Sequence, residues 1–203
     1  MKLPCLFQFR ILSLAIRSFF ARAFTTRFPA APYEPIRQFR GRPRYHAEDC
    51  IGCGACAEVC PAEAIKLVDD LSGPKPARRL TQYLDTCIQC GQCERYCPTE
   101  KGIKLSNEYD YAGFSKSDFE ESVEKDLLLC ECCGAVIAPL DQLRWLVRRL
   151  GPLAFTNPTL MLVSARELAV VGENVKIAAD KTVRAARVSI QCPKCRRKSA
   201  LAV

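Results

Sequence analysis

The chain has 203 residues, a formal net charge of +8 and 14 cysteines. That length leaves room for one or two small domains and excludes a large catalytic core. So many cysteines in a short secreted chain would suggest a disulfide scaffold. Here most of them fall in tight C-x-x-C groups, the pattern of metal ligation in a reducing compartment. No small-residue cleavage site follows a clean apolar region, so no secretory signal is read.

In chain order, residues 1–27 read as an amphipathic helix that anchors the chain to a membrane or a partner. Leu12, Ile16, Phe19, Phe20 and Phe24 mix with Arg10, Arg17, Arg22 and Arg27, and no acid precedes Glu34. The arginines break the apolar runs well short of the roughly 20 residues that a span needs. Such a segment can bury its apolar side at an interface while the arginines reach phosphates or acidic side chains. The same composition describes a mitochondrial transit peptide or a helix packed wholly on protein. Residues 28–48 read as an extended basic linker, because Pro29, Pro32, Pro35 and Pro43 forbid a continuous helix. Its single histidine, His46, reads as a surface residue.

Residues 49–126 contain an internal duplication. The first copy runs Cys50, Cys53, Cys56, Cys60-Pro61 and Ile65-Lys66-Leu67. The second runs Cys87, Cys90, Cys93, Cys97-Pro98 and Ile103-Lys104-Leu105, with one extra residue after its proline. Each copy predicts a ligand loop, a short helix around the fourth cysteine and a strand at Ile-Lys-Leu. A loop from Asp69 to Thr86 joins them. Two full C-x2-C-x2-C-x3-C-P runs are the ligand pattern of two [4Fe–4S] clusters, with the fourth cysteine of each run serving the other cluster. Cys50, Cys53, Cys56 and Cys97 are therefore assigned to cluster 1, and Cys87, Cys90, Cys93 and Cys60 to cluster 2. Zinc favours separated C-x-x-C pairs and does not explain runs of four. Gly52, Gly54 and Gly91 let the backbone pass close to a cluster. Ile51, Ile65, Ile88 and Ile103 should form the dry shell, and Tyr96 should pack on a cluster.

Residues 127–203 read as a zinc-ribbon-like module with a helical insert. Cys130 and Cys133 form one knuckle, and Cys192 and Cys195 a second, giving a four-cysteine set for one zinc with Cys132 as an alternative ligand. The insert predicts a helix over Leu140–Leu150 and another from Asn157-Pro158 to about Val171, followed by strands over Val175–Ala178 and Val183–Ile190. Cys5 reads as a free thiol. No nucleotide fingerprint and no site for substrate chemistry are found. The fold class is thus α+β: a bacterial-type 2[4Fe–4S] ferredoxin domain between an N-terminal amphipathic helix and the zinc-ribbon-like module.

Three stretches carry a family resemblance: the double cysteine run, Pro32-Tyr-Glu-Pro35 through Phe39-Arg-Gly-Arg42-Pro43, and Lys104-Leu-Ser-Asn-Glu-Tyr-Asp110. They resemble the iron–sulfur subunits of group 4 membrane-bound nickel–iron hydrogenases, formate hydrogenlyase among them. They also resemble the related chain I-type subunit of NADH:quinone oxidoreductase. The resemblance covers roughly residues 16–135 and the final knuckle. The C-terminal cysteine extension favours the hydrogenlyase type, although the adjacent Cys132 and Cys133 depart from its wider spacing.

The resemblance implies a non-catalytic electron-transfer subunit of an oxidoreductase complex. It would lie peripherally on the cytoplasmic side of the membrane. A soluble donor (formate dehydrogenase, carbon monoxide dehydrogenase or ferredoxin) would feed it, and it would pass electrons to the hydrogenase small subunit, beside the large subunit and the membrane arm. The alternative is a chain I-type subunit passing electrons toward quinone. A zinc-ribbon nucleic-acid-binding protein is a remote third reading. A basic tail without an aromatic platform does not support it, and no nucleic acid is expected as a partner.

Overall fold

The computed structural model describes residues 9–23, 25–168 and 189–201. Cys5, the predicted strand Val175–Ala178 and most of the strand predicted from Val183 lie outside the described residues. The chain forms two compact units, Met1–Phe39 and Arg40–Val203.

The first unit contains helix α1, Phe9–Phe20, none of whose residues is buried. Leu12, Ile16, Phe19 and Phe20 lie along one side at helical spacing, and Arg10, Ser13 and Arg17 along the other. Short turns follow, closed by Ala31 N–H to Arg27 O and Phe39 N–H to Ile36 O. No helix among the described residues is long and apolar enough to cross a membrane.

The second unit is built on two antiparallel sheets. Strand β1 (Pro43–Tyr45) pairs with β4 (Ile103–Leu105), placing Tyr45 opposite Ile103. The larger sheet has the order β2 (Ile65–Asp70), β3 (Ala77–Tyr83), β5 (Glu120–Leu129), β6 (Val136–Pro139). Ile65 lies opposite Gln82, and Leu80 opposite Val123. The segment expected to be a loop between the two copies is therefore mostly a hairpin. Gly73 and Pro74 turn the chain, Ser72 N–H donates to Asp70 Oδ1, and the alternation of Leu80, Gln82 and Leu84 supplies a buried face. The end of the expected linker is also ordered, as β1.

The Arg-Gly-Arg segment has a clear structural task. Gly41 N–H donates to Ser106 O, Arg42 N–H to Glu108 O, and Ser106 N–H to Arg42 O. A Cβ on Gly41 would overlap the carbonyl oxygen of Glu108 and sit 2.7 Å from that of Ser106, so only glycine allows this approach. Arg42 and Arg44 then pair with Glu121, and Arg44 also with Glu108. Part of the basic linker is thus paired with acids later in the chain, Glu108 and Glu121.

Strand β5 crosses the predicted domain boundary at 126/127. Its residues 120–126 pair with β3 and residues 127–129 with β6. Helix α4 (Leu140–Leu150) follows β6 directly and stops at Gly151, as its pattern predicts. A 3-10 turn over Gly151–Thr156 leads to α5 (Pro158–Glu167), capped by Asn157 Oδ1, which accepts from Thr159 N–H at 2.9 Å. Two apolar cores result. One contains Cys50, Cys56, Cys93, Ile65, Leu80, Ile103 and Val123. The other contains Leu143, Ala154, Leu160, Leu162, Val163 and Ile190.

Candidate iron–sulfur and cysteine sites

The duplication yields two matched recesses. In the first, Cys50, Cys53 and Cys56 meet Cys97 of the second run, with Tyr45, Leu80 and Thr99 in the wall. In the second, Cys87, Cys90 and Cys93 meet Cys60 of the first run, with Pro43 and Gln82 in the wall. The fourth cysteine of each run thus crosses to the other's recess, the grouping expected from the sequence. The local reason differs from the expected one. The short helices α2 (Ala55–Glu58) and α3 (Gln92–Arg95) carry the third cysteines, and each ends before the fourth. Gly54 and Gly91 cap these helices in the left-handed region, each at φ 79°. The chain then turns, and Cys60 and Cys97 leave toward the opposite half.

The residues fit a pair of [4Fe–4S] clusters. Each recess offers four thiols and no carboxylate or imidazole. Backbone N–H groups aim at the sulfurs: Ala64 at Cys60 Sγ (3.3 Å) and Gln89 at Cys87 Sγ (3.4 Å). A Cβ on Gly102 would lie 3.2 Å from Cys97 Sγ, so the backbone there lies directly against a ligand sulfur. Burial pushes the Cys56 thiol up to about 11, against the Tyr45 hydroxyl at 3.9 Å, and pushes Cys93 up to about 12. Burial acts on Cys97 too, but the Thr99 hydroxyl at 3.3 Å and nearby N–H groups outweigh it and lower its pKa. Metal binding replaces such protons and makes loading and folding interdependent.

Other expectations divide. Ile51, Ile65 and Ile103 are buried, whereas Ile88 lines the second recess yet is 64% exposed. The difference arises outside the duplication. Loop 50–53 is covered by Lys125 and Pro139, 3.0 and 3.3 Å from where a Gly52 Cβ would stand. Tyr96 is exposed at 55% and lines neither recess, and the Arg95 guanidinium stands over its ring instead. The side chains that do reach ligand sulfurs are Tyr45, Gln82 and Thr99. Tyr45 and Gln82 each precede the first cysteine of a run by five residues, a signal available from the duplication. His46 is exposed, and its backbone oxygen accepts from Asp49 and Cys50 N–H.

A third cysteine group closes the C-terminal half. The sulfurs of Cys130, Cys133, Cys192 and Cys195 all lie within 4.8 Å of one another, and Cys132 is exposed outside the group. Cys133 Sγ and Cys192 Sγ are 3.7 Å apart. Burial raises the pKa of Cys130, but the N–H groups of Cys192, Cys133 and Cys132 prevail and hold it at about 6. Cys192 N–H approaches to 3.2 Å. Four thiols at this spacing match the donor count that a tetrahedral metal ion takes.

Residues 49–101 match the family model described as a 4Fe–4S dicluster domain. The chain is 40% identical over 114 residues to formate hydrogenlyase subunit 6 of Escherichia coli (strain K12). The match covers 56% of this chain and 62% of that protein, so the chain spans less than two thirds of its relative's length. Among solved structures, one of the membrane-bound sulfane sulfur reductase, an archaeal respiratory membrane complex, superposes with a TM-score of 0.40 at 24% identity. It covers 58% of this chain and 61% of that one.

Proposed function

We propose that the chain is the iron–sulfur electron-relay subunit of a formate hydrogenlyase-type complex. Cys50, Cys53, Cys56 and Cys97 would hold one [4Fe–4S] cluster, and Cys87, Cys90, Cys93 and Cys60 the other. When bound, each cluster supplies a one-electron carrier. The observation that carries the reading is the crossing of Cys60 and Cys97, which makes neither recess complete without both runs. Cys56 and Cys93 share one buried core, so the two carriers would sit on either side of a single layer of side chains. The surrounding chain does the rest: Ile65, Leu80, Ile103 and Val123 keep that layer dry, and the backbone N–H groups face the sulfurs.

The similarity to formate hydrogenlyase subunit 6 supports a place in a complex of that type. In this reading a soluble donor (formate dehydrogenase, carbon monoxide dehydrogenase or a ferredoxin) feeds the chain, and the small subunit of a nickel–iron hydrogenase accepts the electrons. The Cys130, Cys133, Cys192 and Cys195 group would hold one zinc and fix the second core. Residues 1–27 would hold the subunit peripherally against the cytoplasmic face of the membrane. The test is electron delivery. The anaerobically purified chain, reduced by a low-potential donor, should reduce the isolated hydrogenase small and large subunits. Reduction of a quinone-reductase partner instead would favour the chain I-type alternative.

A further inference from the structure

We infer that Gln82 is a positioning residue that raises the reduction potential of the cluster in the second recess above what an apolar wall would give. This rests on the cluster reading above. Gln82 stands on the inward face of β3 between Leu80 and Leu84, and all three are buried. Strand alternation calls for a third apolar residue there. An amide stands instead, 0% exposed, in the wall of the recess formed by Cys87, Cys90, Cys93 and Cys60. Its Nε2 lies 3.9 Å from Cys87 Sγ, and its Oε1 has no partner. A buried amide left half unpaired destabilises the fold, so the position breaks the local rule without a stabilising return within the protein.

The orientation follows from the chemistry of the sulfur. A ligating cysteine is a thiolate and accepts hydrogen bonds. Turning the amide would set its oxygen against that sulfur, acceptor against acceptor. The amine therefore faces Cys87.

The duplication sharpens the argument. Tyr45 occupies the matching place five residues before Cys50, opposite Ile103, as Gln82 stands opposite Ile65. Tyr45 lines the first recess and its hydroxyl lies 3.9 Å from Cys56 Sγ. The same structural position thus directs one polar group at each recess, a phenol at one and an amide at the other. Their neighbours two residues away cross over: Leu80 lines the first recess and Pro43 the second, and both are apolar. A donor to a ligand sulfur favours the reduced, more negative cluster and so raises its potential. Each cluster then carries its own adjustable donor.

The experiment is an EPR-monitored redox titration of the anaerobically reconstituted full chain. Gln82→Leu should keep eight irons and lower one of the two midpoint potentials. Tyr45→Phe should lower the other and leave the first in place. Unchanged potentials in iron-replete Gln82→Leu, or equal shifts of both, would overturn the inference. If Gln82→Leu loses its cluster, Gln82→Met keeps the side-chain length without the donor and reads the same potential. A wild-type chain that does not bind two [4Fe–4S] clusters overturns the cluster reading itself, an outcome visible before any variant is made.

Discussion

Arg78 grips Asp69 with two hydrogen bonds, Nε to Oδ1 at 2.7 Å and NH2 to Oδ2 at 2.9 Å, and extends NH1 to the carbonyl of Gly52 at 3.3 Å. One guanidinium thus joins the β2–β3 hairpin to the ligand loop of the first run. The pair is mostly sheltered, with side chains 14% and 24% exposed. Charged hydrogen bonds of this kind contribute about 1.5–3 kcal/mol. Asp69→Asn should therefore lower stability by roughly that amount and release cluster 1 faster on heating, read as loss of visible absorbance. Arg78 holds the Asp69 carboxyl below its ordinary value, chiefly by hydrogen bonding. A carboxyl lowered in the fold stabilises above its unfolded pKa and loses that contribution as pH falls through the folded value. From about pH 6 to about pH 8 the deficit of Asp69→Asn should stay constant. A deficit that grows across that window would assign it to another group.

The crossing of the fourth cysteines makes a matched-loss prediction. Cys97→Ser and Cys53→Ser should remove the same EPR signal, and Cys60→Ser and Cys90→Ser should remove the other. Each should cut the iron content from about eight to about four per chain. If Cys97→Ser and Cys90→Ser abolish one common signal, each run holds its own cluster and the assignment is reversed.

The C-terminal quartet should bind one zinc per chain beside the eight irons. The full chain is the right material, because β5 belongs to both cores and a fragment starting at residue 127 would cut it. Cys132→Ser should retain the zinc, since that residue is exposed outside the group. Cys133→Ser or Cys192→Ser should lose it and loosen the helices around Leu143 and Leu160, read as faster hydrogen exchange there. Iron at about twelve per chain, without zinc, would make the quartet a third cluster.

The cysteine groupings were legible because spacing and chemistry together leave few options. Two full runs ending in Cys-Pro are the ferredoxin ligand pattern, in which the fourth cysteine serves the other cluster, and Cys60 and Cys97 do stand in the opposite recesses. Helix α4 was legible for a similar reason, with Leu140, Leu143, Leu146, Val147 and Leu150 at helical spacing before Gly151. The β2–β3 hairpin was obscured by charge, since Arg78, Arg79 and Asp69 look like loop composition. Their charges are in fact paired: Arg78 with Asp69 along the hairpin, and Arg79 with Glu124 across to β5. Ile88 looked like a twin of Ile51, but only loop 50–53 gains cover from β5 and β6. Nothing within the duplication encodes that difference. Gln82 falls within the segment read as a loop, where a glutamine reads as solvent-facing, and only the register with Ile65 turns it inward.

The N-terminal segment should bind an anionic membrane surface without crossing it. Helix α1 gathers Leu12, Ile16, Phe19 and Phe20 on one side, opposite Arg10 and Arg17. Phe19 and Phe20 are 85% and 81% exposed, a large apolar area for a helix to leave uncovered. An interfacial helix buries such a face among acyl chains while its arginines meet lipid phosphates, at about 1 kcal/mol per cation near the surface. The full chain should therefore co-float with vesicles containing phosphatidylglycerol and bind them less in high salt. It should ignore neutral vesicles. Deleting residues 1–27 should abolish flotation while leaving the iron content at about eight, because no cluster cysteine lies in that segment. In cells the deletion should release the subunit from the membrane fraction. A helix that packs only on protein predicts no flotation but the same release, so the vesicle arm separates the two. A transit peptide predicts a mature chain that begins near residue 28, and sequencing its N-terminus would expose that outcome directly.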